Sequence, residues 1–553
     1  MSFLHGVETI ETQVGPVPVN TVKTAVIGIV GTSPKGEPGK VHLIQREEDF
    51  ENFLGHGGTL GDAMNAIWDH CHPTIMAINV FDMAQHFQLV DQTCNLTKDG
   101  VAFADCGIPA EAFGFVVRPE SGAPFVLGTD YILDNDGLKQ LNSGALSLCT
   151  SDVSLPTSNP TAMINEAPET MTVTGKKANG EFVPLIKDTD YTINNITIPV
   201  PSITITLTAS GISKIDEVQV STVPVVTGYL LRTEWTEPII ISYKVPDMTQ
   251  VSISCATDAF SSFESALSAF GFFPKILIAP GFSQELAVGR EMVAVAEKIR
   301  AMAYIDAPEG LNPTEAVQFK STNYGDARAM FCYPKANIWD NAQGVYRFDW
   351  LSSRLAGLRA KTDFDEGYWY SISNHIIQGI TGMERVLDYN PSETSSELNY
   401  VNSMGVISVL NFLGSGYRSF GNRTCAFPFQ TDPLNTFECW RRVGDIIEES
   451  ITYFTMQFLD KPMFSRPENA KSELILRVEE SVNDFMRELK GRGALVEGFC
   501  VIKADENPVS NLANGQLAYH YEFTPAVPAE RITYNAVANI TALETVFAEI
   551  ATA

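Results

Sequence analysis

The chain has 553 residues, 44% of them apolar, and carries a net charge of −28 from 66 acidic and 38 basic side chains. That length exceeds what one hydrophobic core supports and predicts about two to four domains, while the negative balance excludes a general nucleic-acid binder, which needs a cationic surface to displace counterions. No apolar run is long enough to span a bilayer, the start Met1-Ser2-Phe3-Leu4-His5 lacks the basic and apolar parts of an export signal, and nine scattered cysteines without a Cys-x-x-Cys pair read as buried thiols in a reducing compartment.

Residues 1–22 mix Val7, Ile10 and Val14 with Glu8, Thr9, Glu11 and Thr12 and then reach Gly15-Pro16-Val17-Pro18. The prolines disfavour helix and the apolar mass is too small for a core, so this stretch reads as an arm. Val22 to Val30 is a buried-strand run closed by Gly31. A Gly/Pro loop, a strand at Val41 to Ile44, short helices at Phe50 to Leu54 and Leu60 to Trp68, and a strand at Thr74 to Phe81 follow. Alternating strand and helix predict an α/β domain.

The composition changes near Ala84. From there to about Gln250 helical periodicity is scarce and β-branched residues, Gly and Pro rise, which predicts an all-β region. Phe125-Val126 with Thr129-Asp130-Tyr131 resembles Phe182-Val183 with Thr189-Asp190-Tyr191, either as a duplication or as a recurrent strand-turn-strand idiom. The α/β pattern resumes with a helix at Ala259 to Phe270, a strand at Lys275 to Ala279, a helix at Gln284 to Ala301 and a strand at Met302 to Ile305. The simplest account is a β domain inserted into one α/β domain. Ala329 to Cys332 (strand) and Ser352 to Ala360 (helix) complete that domain.

Two amphipathic helices come next. Val443, Ile447, Ile451, Phe454 and Phe458 form one stripe, with Glu448, Glu449 and Thr452 off it, and Pro462 as the stop. Ile475, Val478, Val482, Phe485 and Leu489 form the second, with Asn469 as cap and Gly491 as stop. Val496 to Lys503 is a strand. Leu517, Tyr519, Tyr521 and Phe523 alternate with polar residues and predict a half-buried strand. Glu530 to Ile540 is extended without a core of its own. The expected organisation is an N-terminal arm 1–22, a split α/β core 23–84 and 251–400, a surface-exposed β-rich insertion 85–250, an α+β C-terminal domain 401–528 and an extended C-terminal arm 529–553.

The order of several motifs resembles one family. Gly421-Asn422-Arg423-Thr424, the Arg441-Arg442 helix, a second helix, the Gly491-Arg492-Gly493-Ala494-Leu495 turn and a Pro-rich tail are similar to the C-terminal domain of contractile tail sheath proteins, those of myovirus-type phages and R-type bacteriocins. A first strand ending in a Gly31-Thr32 turn, and Ala356-Gly357-Leu358-Arg359-Ala360 followed by Asp363, Gly367 and Trp369, extend the likeness over about 1–84 and 251–540. His375 stands where the family pattern has a small residue. The resemblance implies a subtilisin-like α/β core. It also implies subunits in six-fold rings stacked helically around a tail tube, arms that add strands to neighbouring subunits, and contraction that drives the tube through an envelope. Implied partners are further copies of the chain, the tube protein, and baseplate and tail terminator proteins, with no cofactor, nucleic acid or membrane insertion, in a virion tail assembled in the host cytoplasm.

Other chemistry fits less well. Gly31 and Gly36 have phosphate-loop spacing, but Glu37 and Pro38 follow where Lys and Ser/Thr are needed. Asp69, His70, Cys71 and His72, with His56, lack a second ligand pair at metal spacing. No Gly-x-Ser-x-Gly stretch accompanies the fold, and fold does not carry activity with it, so no catalysis is expected. The remaining alternatives are a non-contractile tail or baseplate scaffold and an α/β hydrolase with a β accessory domain. Two sets of interaction residues are expected. Lys471, Arg477, Arg487, Lys490 and Arg492 on the second helix and its turn would contact the tube. Val7, Ile10, Leu517, Tyr519, Tyr521, Ile532 and Tyr534 would take part in strand exchange between subunits.

Overall fold

The computed structural model describes residues 18–94, 239–340, 344–411, 414–463 and 474–552, with shorter stretches, mostly strands, between 101 and 223. It divides into two compact units, residues 1–83 with 248–553 and residues 84–247.

An eight-stranded sheet organises the larger unit. Its strands are β1 (Val26–Gly31), β2 (Val41–Ile44), β3 (Thr74–Asn79), β4 (Ile276–Ile278), β5 (Met302–Asp306), β6 (Ala329–Cys332), β7 (Val406–Asn411) and β8 (Tyr417–Phe420), in the spatial order β2-β3-β1-β4-β5-β6-β7-β8. The six inner strands are parallel, and β2 and β8 pair antiparallel at the two edges. Strands from before residue 84 and after residue 247 therefore share one sheet, through the pairing of Ile27 with Ile276. The sheet also runs past residue 400, the expected domain boundary, because β7 pairs with β6.

Both faces of this sheet are covered, which is why its strands read as unbroken apolar runs. Val26, Val30, Met76 and Ile78 point to one core with Val288, Met292 and Val295 of helix α2 (Leu286–Ile299). Ile27, Ile29, Ile75 and Ala77 point to the other, with Met64 and Ile67 of helix α1 (Gly58–Trp68) and Leu355 and Leu358 of helix α3 (Leu351–Asp365). Thr32 joins the first strand to the first helix: the Thr32 amide donates to Thr59 Oγ1 and the Thr59 amide to Thr32 Oγ1, at 3.0 and 3.1 Å. Gly357 lets α3 press on α1, since a Cβ there would lie 2.9 Å from both Cα and carbonyl oxygen of Ile67.

A third core holds helix α4 (Glu438–Met456), helix α5 (Leu474–Gly491) and a two-stranded antiparallel sheet of β9 (Leu495–Val501) and β10 (His520–Pro525). The predicted stripes Val443, Ile447, Phe454 and Val478, Val482, Phe485, Leu489 are buried there. Three details differ from the sequence reading. Helix α4 ends at Met456, and Phe458 packs from the turn beyond it. The left-handed residue that closes α5 is Gly493, at φ +84°, with Gly491 still helical. The C-terminal arm is extended only to Ile540, and Thr541–Thr552 form helix α6. Asn469 lies outside the described residues.

The smaller unit contains strands and no helix among its described residues. Phe87–Cys94 pairs antiparallel with Ile239–Pro246, which pairs with Phe113–Pro119. Tyr131–Asp134 and Tyr191–Ile196 are both strands, while Phe125 and Thr129 lie outside the described residues. Among the described residues six cysteines are free, four of them buried, as expected of thiols. Cys94 is disulfide-bonded, a correction to the reading of the cysteines as thiols; scattered spacing carries no information on which residues the fold brings together.

Candidate functional site

Helix α4 carries two buried faces. The apolar one was legible as a stripe. The other bears Glu438, Arg442, Asp445 and Glu449, all under 4% exposed, at helical spacing and facing the sheet body. Glu449 was expected off the buried stripe; burial instead pairs it with Lys275, whose ammonium is pushed down by that burial and supported by the carboxylate. Asp445 receives Arg328 and, at 3.0 Å, Arg441. Arg359 of α3 is wholly buried and donates to Asp363 at 2.9 Å, to the Tyr370 carbonyl at 2.7 Å and to Glu438 at 3.3 Å. Arg442 completes the ring by reaching Asp363. Buried charges persist only when paired, and here each lies beside an opposite charge. The signal that would have found this network is the charge repeat Glu438, Arg442, Asp445, Glu449.

The motif Gly421-Asn422-Arg423-Thr424 has a local role at each end. Gly421 sits at φ +126°, where a Cβ would lie 2.8 Å from Asn402 Oδ1. Buried Thr424 donates its hydroxyl to the Asn435 carbonyl at 2.5 Å. Arg423 stacks on Phe437 and Phe427, 3.6 and 4.5 Å from the ring centres, and donates two hydrogen bonds to Glu530 at 2.7 and 2.5 Å.

The expected tube-contact residues Arg477, Arg487, Lys490 and Arg492 are exposed, and Lys471 lies outside the described residues. Their surface is of mixed sign. Arg487 pairs with Asp484, Lys490 with Glu497 at 2.7 Å and Arg492 with Glu488 at 3.5 Å. Arg477 has no ion pair among the described residues.

Of the expected strand-exchange residues, Val7 and Ile10 lie outside the described residues. Leu517 and Tyr519 precede β10, and Tyr519 and Tyr521 turn into the chain's own third core, where the Tyr519 hydroxyl donates to the Ile475 carbonyl at 3.1 Å. Asn483 bonds both backbone groups of Cys500 at 2.8 Å, which closes the outer edge of β9 at that position. Ile532 and Tyr534 are 70% and 88% exposed.

The histidine and cysteine cluster after α1 does not converge. Asp69 accepts from Arg354 at 2.9 Å, His72 stacks on Trp68, and His56 meets Glu51. His70 is buried with neither ring nitrogen bonded, and burial pushes its pKa down to about 3. Burial also raises the Cys71 thiol to about 11. Asp306, at the end of β5, is another buried titrating group. Burial pushes its pKa up to about 6, while Ser283 and Ser352 donate to it at 3.0 and 2.5 Å.

The comparisons with known proteins agree with the motif order. The family described as phage tail sheath protein central domain matches residues 243–425, and that described as phage tail sheath C-terminal domain matches residues 430–539. The tail sheath protein of Burkholderia phage BcepMu is 31% identical over 549 residues, 96% of each chain. The tail sheath protein of Escherichia phage P2 is 29% identical over 270 residues, 49% of this chain and 64% of its own. The helical sheath of the anti-feeding prophage in its contracted state shares the fold at a TM-score of 0.52 and 13% identity, over 98% of this chain and 100% of that one. By its full-length match to one sheath protein and its two family domains, the chain belongs to the phage tail sheath protein family.

Proposed function

We propose that the protein is the subunit of a contractile tail sheath. Copies polymerise as stacked six-membered rings around a tail tube. A baseplate trigger converts the extended polymer to a shorter, wider one that drives the tube through a target envelope. Contraction needs no nucleotide, because the energy is held in a kinetically trapped packing. Head-to-tail contacts between copies give an open helix when the rotation does not close.

One observation carries this reading within the family: the C-terminal arm leaves its own body with its apolar side chains exposed, Ile532, Tyr534, Val537 and Ile540 at 70% or more. Exposed apolar surface of this extent marks an interaction site, and a second copy is the partner a polymer supplies. Strand addition would satisfy backbone groups across the chain boundary, with side-chain pockets setting the register. The outer edge of β10 makes no backbone hydrogen bond among the described residues, unlike the capped edge of β9.

The finer assignments belong to the same proposal. Residues 84–247 are a β insertion in a subtilisin-like core, carried on the outside of the sheath and dispensable for assembly. Helix α5 contacts the tube through Arg477 and through the exposed pairs of Arg487, Lys490 and Arg492. Such pairs are individually weak and screened by salt, so they can exchange partners when the sheath contracts. The tube protein, baseplate and tail terminator are the remaining partners.

Negative-stain microscopy of the purified chain tests the reading. Hollow polymers of one width are expected from the full chain, and none from a chain ending at Glu530. Discrete monomers of the full chain under all conditions, or normal polymers from the truncated one, would refute it.

A further inference from the structure

The arm is tied to the body at successive points, and the ties stop abruptly. The Ala526 amide donates to the Ala494 carbonyl at 3.2 Å, and the Trp440 indole donates to the Ala526 carbonyl at 2.9 Å. Arg423 then takes Glu530 with two hydrogen bonds, from Nε and from a terminal nitrogen. Residues 531–540 are all exposed, and among the described residues none of them hydrogen-bonds to the body. Between these ties the segment stands off the surface. A cleft of about 1260 Å³ separates residues 526–534 from Trp369, Asn374, Tyr389 and Phe420.

Arg423 is itself immobilised. Its guanidinium lies over two phenylalanine rings, a third nitrogen donates to Thr436 Oγ1 at 3.1 Å, and its side chain is only 19% exposed. A planar guanidinium fixed in this way presents its fork in one direction, so a carboxylate that takes both bonds is fixed in direction as well. Beyond Glu530 the ten residues 531–540 can span about 33 Å when extended. They lead into α6, whose Leu543, Val546, Phe547 and Ile550 recur at one helical face and are 52% to 72% exposed.

We propose that Arg423 and Glu530 form a clasp that sets where, and in which direction, the C-terminal arm leaves the body, so that the arm and its terminal helix reach a second copy of this chain. The inference rests on the reading that the arms link subunits. Arg423 acts as a positioning residue: it orders the start of the arm before assembly, which removes part of the ordering cost from each contact between copies.

The test uses the full chain with Arg423→Glu, Glu530→Arg and the exchanged pair carrying both, beside a chain ending at Glu530. Polymer fraction is read by sedimentation and negative stain, and the thermal midpoint of the unpolymerised protein checks folding. Glu530→Arg changes a side chain 37% exposed and is expected to leave the midpoint unchanged while lowering the polymer fraction roughly tenfold. The exchanged pair is expected to restore it only in part, because a carboxylate at position 423 cannot stack on Phe427 and Phe437 as the guanidinium does. Wild-type polymers from Glu530→Arg, or no recovery at all in the exchanged pair, would overturn the clasp. If the truncated chain also polymerises, the arm reading itself fails; if only the truncation loses polymers, the clasp alone fails.

Discussion

Two regions of this chain invert the usual sorting of side chains, and they do so in opposite senses. Under α4, charges are inside: Arg359, Asp363, Glu438 and Arg442 are buried and neutralise one another within one chain. In the arm, apolar groups are outside: Tyr534 and Val537 are nearly 90% exposed, with nothing among the described residues covering them. The first arrangement is complete in a single copy. The second is completed only by something else. In the proposed sheath the first would hold the internal layers of the body in register, and the second would defer the burial of the arm to the polymer.

Breaking the buried side of this contrast has the largest expected effect. Arg359→Met removes the guanidinium between Asp363 and Glu438 and leaves two carboxylates buried. The expected loss is about 3–5 kcal/mol, from an uncompensated buried charge, and urea unfolding of the monomer measures it. A loss below about 1 kcal/mol would mean that the network adds nothing to the body.

Two buried titrating groups sharpen the contrast, because Asp306 and His70 respond to pH with opposite signs. Asp306, with its carboxyl raised from 3.8 to about 6, binds a proton more tightly folded than unfolded; its support is full below about pH 4 and is lost as the pH rises through 6. His70, lowered from 6.5 to about 3, refuses a proton that the unfolded chain accepts; its support is full above about pH 6.5 and is lost as the pH falls towards 3. Between pH 4 and 6 the two slopes oppose each other, each at about 1.4 kcal/mol per pH unit. His70→Gln should leave a stability that falls with rising pH relative to wild type, and Asp306→Asn one that rises. Denaturant titrations at three pH values in that window decide it, and parallel curves for both variants would reject the assignment.

On the exposed side, the smallest effect on folding is expected. Tyr534→Ser and Phe547→Ser remove apolar groups that touch little, so the monomer midpoint should move by no more than about 0.5 kcal/mol. Polymer yield by sedimentation should nevertheless fall. A large loss of monomer stability would show that the arm belongs to the body after all.

Much of this molecule was legible beforehand. Val22 to Val30 read as a buried strand, and Val26–Gly31 is one, because a parallel sheet covered on both faces needs apolar residues at every position. The stripes of α4 and α5 read as helices because one face of each meets the third core. Gly357, Gly421 and Arg423 stood out through the motif order, although their reasons did not. A glycine is needed where α3 touches the Ile67 backbone, and an arginine where two rings and a carboxylate meet, and neither neighbour is close in sequence.

Other features were misread or missed. Glu449 looked like a solvated residue because sequence records charge but not whether a Lys275 lies across the helix. On α5 and its turn, Asp484 and Glu488 lie one helical turn from Arg487 and Arg492, a pairing legible in the sequence, whereas only the return of the chain into β9 brings Glu497 to Lys490. The end of the arm read as strand, yet Leu543, Val546, Phe547 and Ile550 form a helical stripe. Sequence alone determined which segments are apolar, with what period, and which family they resemble. Only the tertiary structure decided which charges are paired and which apolar faces are left uncovered, because burial is a property of what the rest of the chain places opposite a residue and not of the residue itself.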